Sequence, residues 1–382
     1  MRILHSVPNI GRISAGPSYS IVGLCRSLSK SIELELVSLD KKELETSLNF
    51  LKAFPSNKIM KKLGVSNQLK KYFFSQSTLA NFDLFHAHSL WMFPNIYPIQ
   101  SAFKNNKPSI ISPRGTLAPE AMREGSVLKP IFWKLFQEPS LKKASFLHAT
   151  SSKELNEIRN LGFIQPIIKI PNGIEVPCKK KIKKNIQSKQ KKLLFLGRIH
   201  PIKGLENLIK AWREVQYLFH DWDLNVVGPD IYGHKKALIN LMESIGCERI
   251  FFYPEVAEAE KEDLYLDTDL LILPSKSENF GMVVAEALSF EIPCIVSNGC
   301  PWPLEKISSG WTFEYGVDNL ASVLKIALSQ SGSAYSKMGK NGRSYINQNF
   351  NQDVISEKWL KVYNWIINKD SDPPKEIFFY DE

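Results

Sequence analysis

Short apolar runs bounded by turn residues alternate along this chain with longer stretches whose apolar positions recur at helical spacing. Strands buried on both faces read as unbroken apolar runs, so the alternation predicts parallel sheets wrapped by helices. In the front half the expected strands are Arg2 to Val7, Glu33 to Leu39, Phe82 to Ala87, Ser109 to Ser112, Phe146 to Ala149 and Ile167 to Ile170. In the back half they are Lys192 to Leu196, Asp223 to Val227, Arg249 to Tyr253, Leu270 to Leu273, Cys294 to Val296 and Trp311 to Glu314. The series starts again after position 190, which predicts an α/β chain of two such domains.

Between the two series lies Cys178 to Lys192, rich in lysine and too poor in apolar residues to fold into a core. The expected organisation is therefore an N-terminal domain over 1–177, a basic linker over 178–192 and a second domain over 193–350. Val354, Ile355, Trp359, Leu360, Val362, Trp365 and Ile366 recur at helical spacing, so 351–369 is expected to be a helix that docks, with the N-terminal domain as its partner. Residues 370–382, with their double proline, read as a loose tail.

Charge divides the chain further. Residues 1–175 carry 23 Lys and Arg against 12 Asp and Glu, residues 176–192 carry 8 against none, and residues 193–382 carry 18 against 27. A basic front half suits an anionic membrane surface or a phosphate-bearing acceptor; no zinc-finger, RNP or helix-turn-helix signature accompanies it, so nucleic acid is not expected. No run approaches the roughly 18 apolar residues of a membrane span, and the opening residues lead into a strand without a secretory apolar stretch, so a cytoplasmic location is expected. The five cysteines lack paired spacing and suit reduced thiols.

Candidate chemistry sits in two strand-to-helix loops. After Leu271-Ile272-Leu273-Pro274, a polar loop carries Glu278, Asn279 and Phe280, and a helix begins near Gly281 with Glu286 on an otherwise apolar face. Ligands of parallel sheets bind beyond the carboxyl ends of strands, where the free N–H groups of Gly281, Met282 and Val283 suit an anion. A carboxylate such as Glu286 can accept from both hydroxyls of a ribose. The run Gly197-Arg198-Ile199-His200-Pro201-Ile202-Lys203-Gly204 repeats the design, and its two cations can neutralise a departing diphosphate.

Together these residues resemble glycosyltransferase family 4: Gly197-Arg198 with Lys203-Gly204, then Glu278 and Glu286 with Asn279-Phe280-Gly281 between them. The resemblance extends to Gly16-Pro17-Ser18, His86-Ala87-His88-Ser89-Leu90-Trp91, Ser112-Pro113-Arg114-Gly115, His148-Ala149-Thr150-Ser151 with Glu154, and Ile170-Pro171-Asn172-Gly173-Ile174. It implies a GT-B fold with two doubly wound, Rossmann-like domains facing across a cleft, and a retaining, metal-independent transfer from a UDP- or GDP-linked sugar. Arg198 and Lys203 would hold the diphosphate, Glu286 the ribose, and Glu278 would lie at the donor sugar. It also implies a glycan or lipid-linked acceptor in surface-polysaccharide synthesis. Two Asp-x-Asp pairs, Asp221 with Asp223 and Asp267 with Asp269, precede their strands and so face away from the carboxyl-end site.

Arg114 stands where many family members carry histidine, and with His88 it is an acceptor-side or catalytic candidate. Gly16 is a candidate for close backbone approach to the donor phosphates. Leu51 to Phe74 mixes lysine pairs with apolar residues and reads either as a membrane-facing surface or as an internal helix with a solvated lysine face. The competing function classes are an inactive nucleotide-sugar-binding subunit, which would be expected to lose Glu278, Arg198 or Lys203, and a polyanion-binding protein. A dinucleotide oxidoreductase would need a Gly-x-Gly-x-x-Gly after the first strand, and a starch-synthase relative a Lys-x-Gly-Gly; neither is present.

Overall fold

The computed structural model describes residues 1–10, 15–39, 48–57, 60–123, 127–178, 190–231 and 233–380. These fall into two compact units, Met1–Gly173 with Gln352–Glu382, and Ile174–Asn351.

In unit 1 the strands are β1 (Arg2–Ser6), β2 (Glu33–Leu39), β3 (Leu51–Phe54), β4 (Leu84–His88), β5 (Ser109–Ser112), β6 (Phe146–Ala149), β7 (Ile167–Lys169) and, after the whole of unit 2, β14 (Ile377–Phe378). The sheet order is β14-β7-β6-β5-β4-β1-β2-β3, parallel throughout except for β14 on β7. Strands β4, β5 and β6 are buried along their whole length, as strands covered by helices on both faces must be. The helix Gln352–Asn368 packs on helix Ala15–Leu28 and buries Ile355, Trp359, Val362, Tyr363 and Ile366. Those positions fall on one helical face, and they join Ile3, Leu84, Ile110 and Ile168 of the sheet in one apolar cluster.

Unit 2 has β8 (Lys191–Leu196), β9 (Trp222–Val227), β10 (Ile250–Tyr253), β11 (Leu270–Leu273), β12 (Cys294–Ser297) and β13 (Gly310–Phe313). Their order is β10-β9-β8-β11-β12-β13, all parallel. Helix Leu205–Val215 buries Leu205, Leu208, Ile209, Trp212 and Val215 at the spacing of a single apolar stripe. Both sheets thus have the doubly wound, parallel form, each with its own core.

Several expectations are corrected. Lys191 and Lys192, counted with the linker, are the first residues of β8, where their backbone pairs with Trp222 and Asp223; residues 179–189 lie outside the described residues. The tail is tied down, because Ile377 and Phe378 pair antiparallel with Ile168 and Ile167. Leu51 to Phe54, read only as part of a basic segment, is an edge strand on β2. Much of the apolar content of Leu51 to Phe74 points inward: Phe54, Leu69 and Phe73 are core, with Tyr72 and Phe74 packed against them, while Met60 is exposed. Cys25, Cys247, Cys294 and Cys300 are buried free thiols, and Cys178 is exposed. Among the described residues no helix is long and apolar enough to cross a membrane.

Candidate active site

In unit 2 the strand order reverses between β8 and β11, so the connections leaving those neighbours wind to opposite faces and part at their carboxyl ends. Such a switch point is where open parallel sheets leave a crevice. The loop after β8 carries Gly197, Arg198 and Lys203; the loop after β11 carries Glu278, Asn279 and Phe280 and ends at Gly281, the N-cap of helix Met282–Ser289. The two loops are fastened together. Lys276 N–H donates to the Ile202 carbonyl at 2.8 Å. Gly204 has φ +70°, and a Cβ there would lie 2.1 Å from the Pro274 carbonyl oxygen. Only glycine fits so close a crossing.

At the crossing, Lys203 Nζ donates to Glu278 Oε1 at 2.5 Å and the Ser275 hydroxyl donates to the same oxygen at 2.7 Å. Both Lys203 and Glu278 are largely buried. Arg198 is exposed and has no hydrogen bond or ion pair among the described residues, so its charge is unspent. Gly281 is left-handed at φ +75° and opens the helix, with Met282 and Val283 half-buried in its first turn. The Phe280 carbonyl accepts from Trp302 Nε1, which anchors the loop from beneath. One turn further on, Glu286 accepts from the Tyr265 hydroxyl at 2.6 Å and lies 3.7 Å from Lys261 Nζ. A carboxylate oriented at the open end of a crevice can receive a diol, while the cations and helix N–H groups can receive a diphosphate. The Asp-x-Asp pairs sit at the opposite, amino ends of the strands. Asp221 pairs with Lys191 at 2.8 Å, Asp223 accepts from Gln190, Asp267 pairs with Lys192, and Asp269 accepts from the Lys192 backbone.

Unit 1 reverses strand order between β1 and β4, and that switch point is filled by histidines. In-register pairing sets His5 beside His86, and the two-residue period of β4 puts His86 and His88 on one face. A single hydrogen-bonded chain runs through them. The Ile170 carbonyl can only accept, so His148 Nε2 donates to it at 2.7 Å. His148 Nδ1 then accepts from Ser112 (2.7 Å), Ser112 from His86 Nε2 (2.7 Å), and His86 Nδ1 from the Tyr363 hydroxyl (2.7 Å). Tyr363 accepts from His5 Nε2 (3.5 Å), His5 Nδ1 from His88 Nε2 (2.9 Å), and His88 Nδ1 from Arg114 Nη2 (3.3 Å). A guanidinium can only donate, so both ends of the chain demand the same direction, and every histidine is assigned the neutral Nε2–H tautomer. Burial pushes His5 and His148 down to about 3 and His86 and His88 well below the ordinary imidazole value, with Arg114 adding to each shift. Ligand nitrogens of His5, His86 and His88 lie within 4.8 Å of one another. Binding a metal there would require breaking this chain, since both nitrogens of each ring are committed.

Arg114 also donates to Ser20 (3.1 Å) and Asn172 (2.7 Å), and burial pushes it down to about 10. It occupies a left-handed turn with Gly115, φ +56° and +79°. Glu154, fully buried, holds that turn: it accepts from Gly115 N–H at 2.5 Å and from the Thr150 N–H and hydroxyl at 2.7 and 2.8 Å. His88 is fully buried, with its Nδ1 against the Arg114 guanidinium. Gly16 is the second residue of helix Ala15–Leu28; residues 11–14, ahead of that helix, lie outside the described set.

Residues 179–345 match the family described as Glycosyl transferases group 1. That match lies within the second unit and takes in both of its strand-end loops. Two overall likenesses agree with it in fold. The structure of Anabaena HepE in complex with UDP and glucose superimposes with a TM-score of 0.74 at 16% identity, covering 95% of this chain and 99% of that one. That of WaaG, a glycosyltransferase involved in lipopolysaccharide biosynthesis, gives 0.66 at 17% identity, covering 96% and 100%. At those identities the likeness is one of fold, the two-domain GT-B fold. The D-inositol 3-phosphate glycosyltransferase of Kineococcus radiotolerans is 27% identical over 195 residues, 46% of this chain and 45% of that one. The chain spans about half the length of the curated relatives it matches.

The matched stretch holds Gly197, Arg198, Lys203, Glu278, Asn279, Phe280, Gly281, Met282, Val283 and Glu286; Gly16, His88 and Arg114 belong to the other unit. Three supporting residues escaped the sequence reading: Ser275 on Glu278, Tyr265 on Glu286 and Tyr363 on His86. Ser275 lies inside the motif and was available as a short-range partner. Tyr265 and Tyr363 lie 21 and 277 positions from the groups they hold, with no local signal.

Proposed function

We propose that this chain is a retaining, metal-independent glycosyltransferase that moves a sugar from a nucleoside-diphosphate donor to a glycan or lipid-linked acceptor, in the synthesis of a surface polysaccharide such as lipopolysaccharide, capsule or exopolysaccharide. The observation that carries the reading is the convergence at one switch point of an unspent arginine, a lysine and carboxylate in contact, and a helix N-terminus. That HepE is described with UDP and with UDP-glucose supports a nucleotide-sugar donor. In this mechanism Glu286 takes the ribose, Arg198 and Lys203 neutralise the diphosphate, and Glu278 orients Lys203 beside the donor sugar. The acceptor hydroxyl attacks C1 on the face from which the diphosphate departs. The C1–O bond to phosphate breaks, the C1–O bond to acceptor forms, and the departing phosphate oxygen takes the hydroxyl proton. The site then acts at the inner face of a membrane, where a lipid-linked acceptor resides.

The test is thermal stabilisation of the protein by UDP, GDP and ADP, each with EDTA present, since a ligand bound only by the native state raises the melting temperature. Stabilisation by one of them, lost in Glu286→Ala, supports the reading and names the donor class. Silence from all three overturns it.

A further inference from the structure

Residues 127–143 form a helical rod on unit 1, built from helix Lys129–Phe132, a widened π turn at Trp133–Gln137 and helix Glu138–Lys143. Pro139 supplies no N–H for the Leu135 carbonyl, which accounts for the widening just before it. The inner side of the rod is anchored: Phe132 and Trp133 meet Trp91, Phe132 also meets Phe93, and buried Gln137 accepts from the Trp91 N–H at 2.8 Å. The outer side is apolar and bare. Val127 is 90% exposed, Leu128 64%, Ile131 55% and Leu135 62%, a helical stripe that no described residue covers. An exposed patch of this kind marks a surface that something else covers.

Its rim is cationic. Arg123, Lys134, Lys142 and Lys143 are exposed around it, while Glu138 is already paired with Lys142 at 2.6 Å. Lys143 Nζ lies 5.4 Å from the ring of Phe103, which is itself 54% exposed on helix Tyr97–Lys104. Aliphatic side chains in one stripe with flexible cations along the edge match the boundary of an anionic bilayer, where the stripe enters the acyl region and the lysines reach back to the headgroups. We propose that this face, and not the basic segment 51–74, seats the protein on an anionic membrane surface. The proposal does not depend on the nucleotide-sugar reading; it concerns where the protein rests, not what it transfers.

The experiment is co-sedimentation of the full chain at low salt with vesicles of phosphatidylglycerol and phosphatidylcholine, or of phosphatidylcholine alone. Binding to the anionic vesicles only is expected, falling at least about tenfold in Ile131→Ser/Leu135→Ser and again as salt rises. Both positions point outward, so that variant keeps the wild-type melting temperature and nucleotide response, which separates this test from the donor-site test. Absence of binding at low salt, binding unchanged in the double variant, or a wild-type dimer that the double variant abolishes would each overturn the proposal, the last by making a second copy the occupant.

Discussion

Lowering the pH from 7.5 to 5.5 should selectively destabilise unit 1. All four of its histidines, His5, His86, His88 and His148, are buried and held neutral, whereas His200, His220 and His234 of unit 2 are not buried. Their folded pKa values are depressed, so as pH falls the unfolded chain takes up protons first. Above an unfolded pKa of about 6.5 both states are neutral and stability is intact; below it stability is lost progressively, down towards the folded values. With all four folded values depressed well below the ordinary one, the histidines together cost on the order of 5 kcal/mol at pH 5.5. That rivals the whole stability of a domain, roughly 5–15 kcal/mol. Amide hydrogen exchange read strand by strand, after correction for intrinsic rates, is the assay. Protection in β1 and β4 should fall by about four orders of magnitude between the two pH values while β8 and β11 hold. Equal behaviour in the two sheets would refute the neutral-histidine chain.

Other consequences are as direct. Tyr363→Phe strands the His86 and His5 nitrogens in a dry site and should cost unit 1 about 1–3 kcal/mol in denaturant unfolding, with the His86 ring changing tautomer by nitrogen NMR. Glu154→Ala removes three accepted hydrogen bonds from the Arg114–Gly115 turn and should cost about 3 kcal/mol or more, again measured by unfolding of unit 1. Gly204→Ala drives a methyl into the Pro274 carbonyl and should lower the melting temperature of unit 2 and abolish nucleotide stabilisation together. Glu278→Ala should spare nucleotide affinity, read by calorimetry, and mainly lower transfer, whereas Glu286→Ala should weaken affinity about tenfold or more.

Strands such as Ser109–Ser112 and Leu270–Leu273 were legible because burial on both faces leaves an unbroken apolar run between turn residues. Leu51–Phe54 was not, because an edge strand alternates and Lys52 interrupts it; nor was Ile377–Phe378, too short to carry any period. The two strand-end loops of unit 2 announced themselves through Gly197, Gly204 and Gly281, whose positions are dictated by local backbone geometry. What local patterns cannot carry is company. His86 looked like any strand residue until Tyr363 arrived from the far end of the sequence, and Leu51 to Phe74 looked amphipathic without revealing which side faced in.

Unit 2 is a continuous stretch of chain, Ile174–Asn351, but unit 1 is not: it needs Gln352 onward to supply Trp359, Tyr363 and the strand on β7. A ribosome makes the parts in that order, at about 5–20 residues per second. The second-made unit can therefore finish folding first, while the first-made one waits with the histidine pocket and its apolar surroundings unsealed. The last helix acts as the closing piece of a structure begun several hundred residues earlier, and the interval before it emerges is when the nascent chain most needs a chaperone.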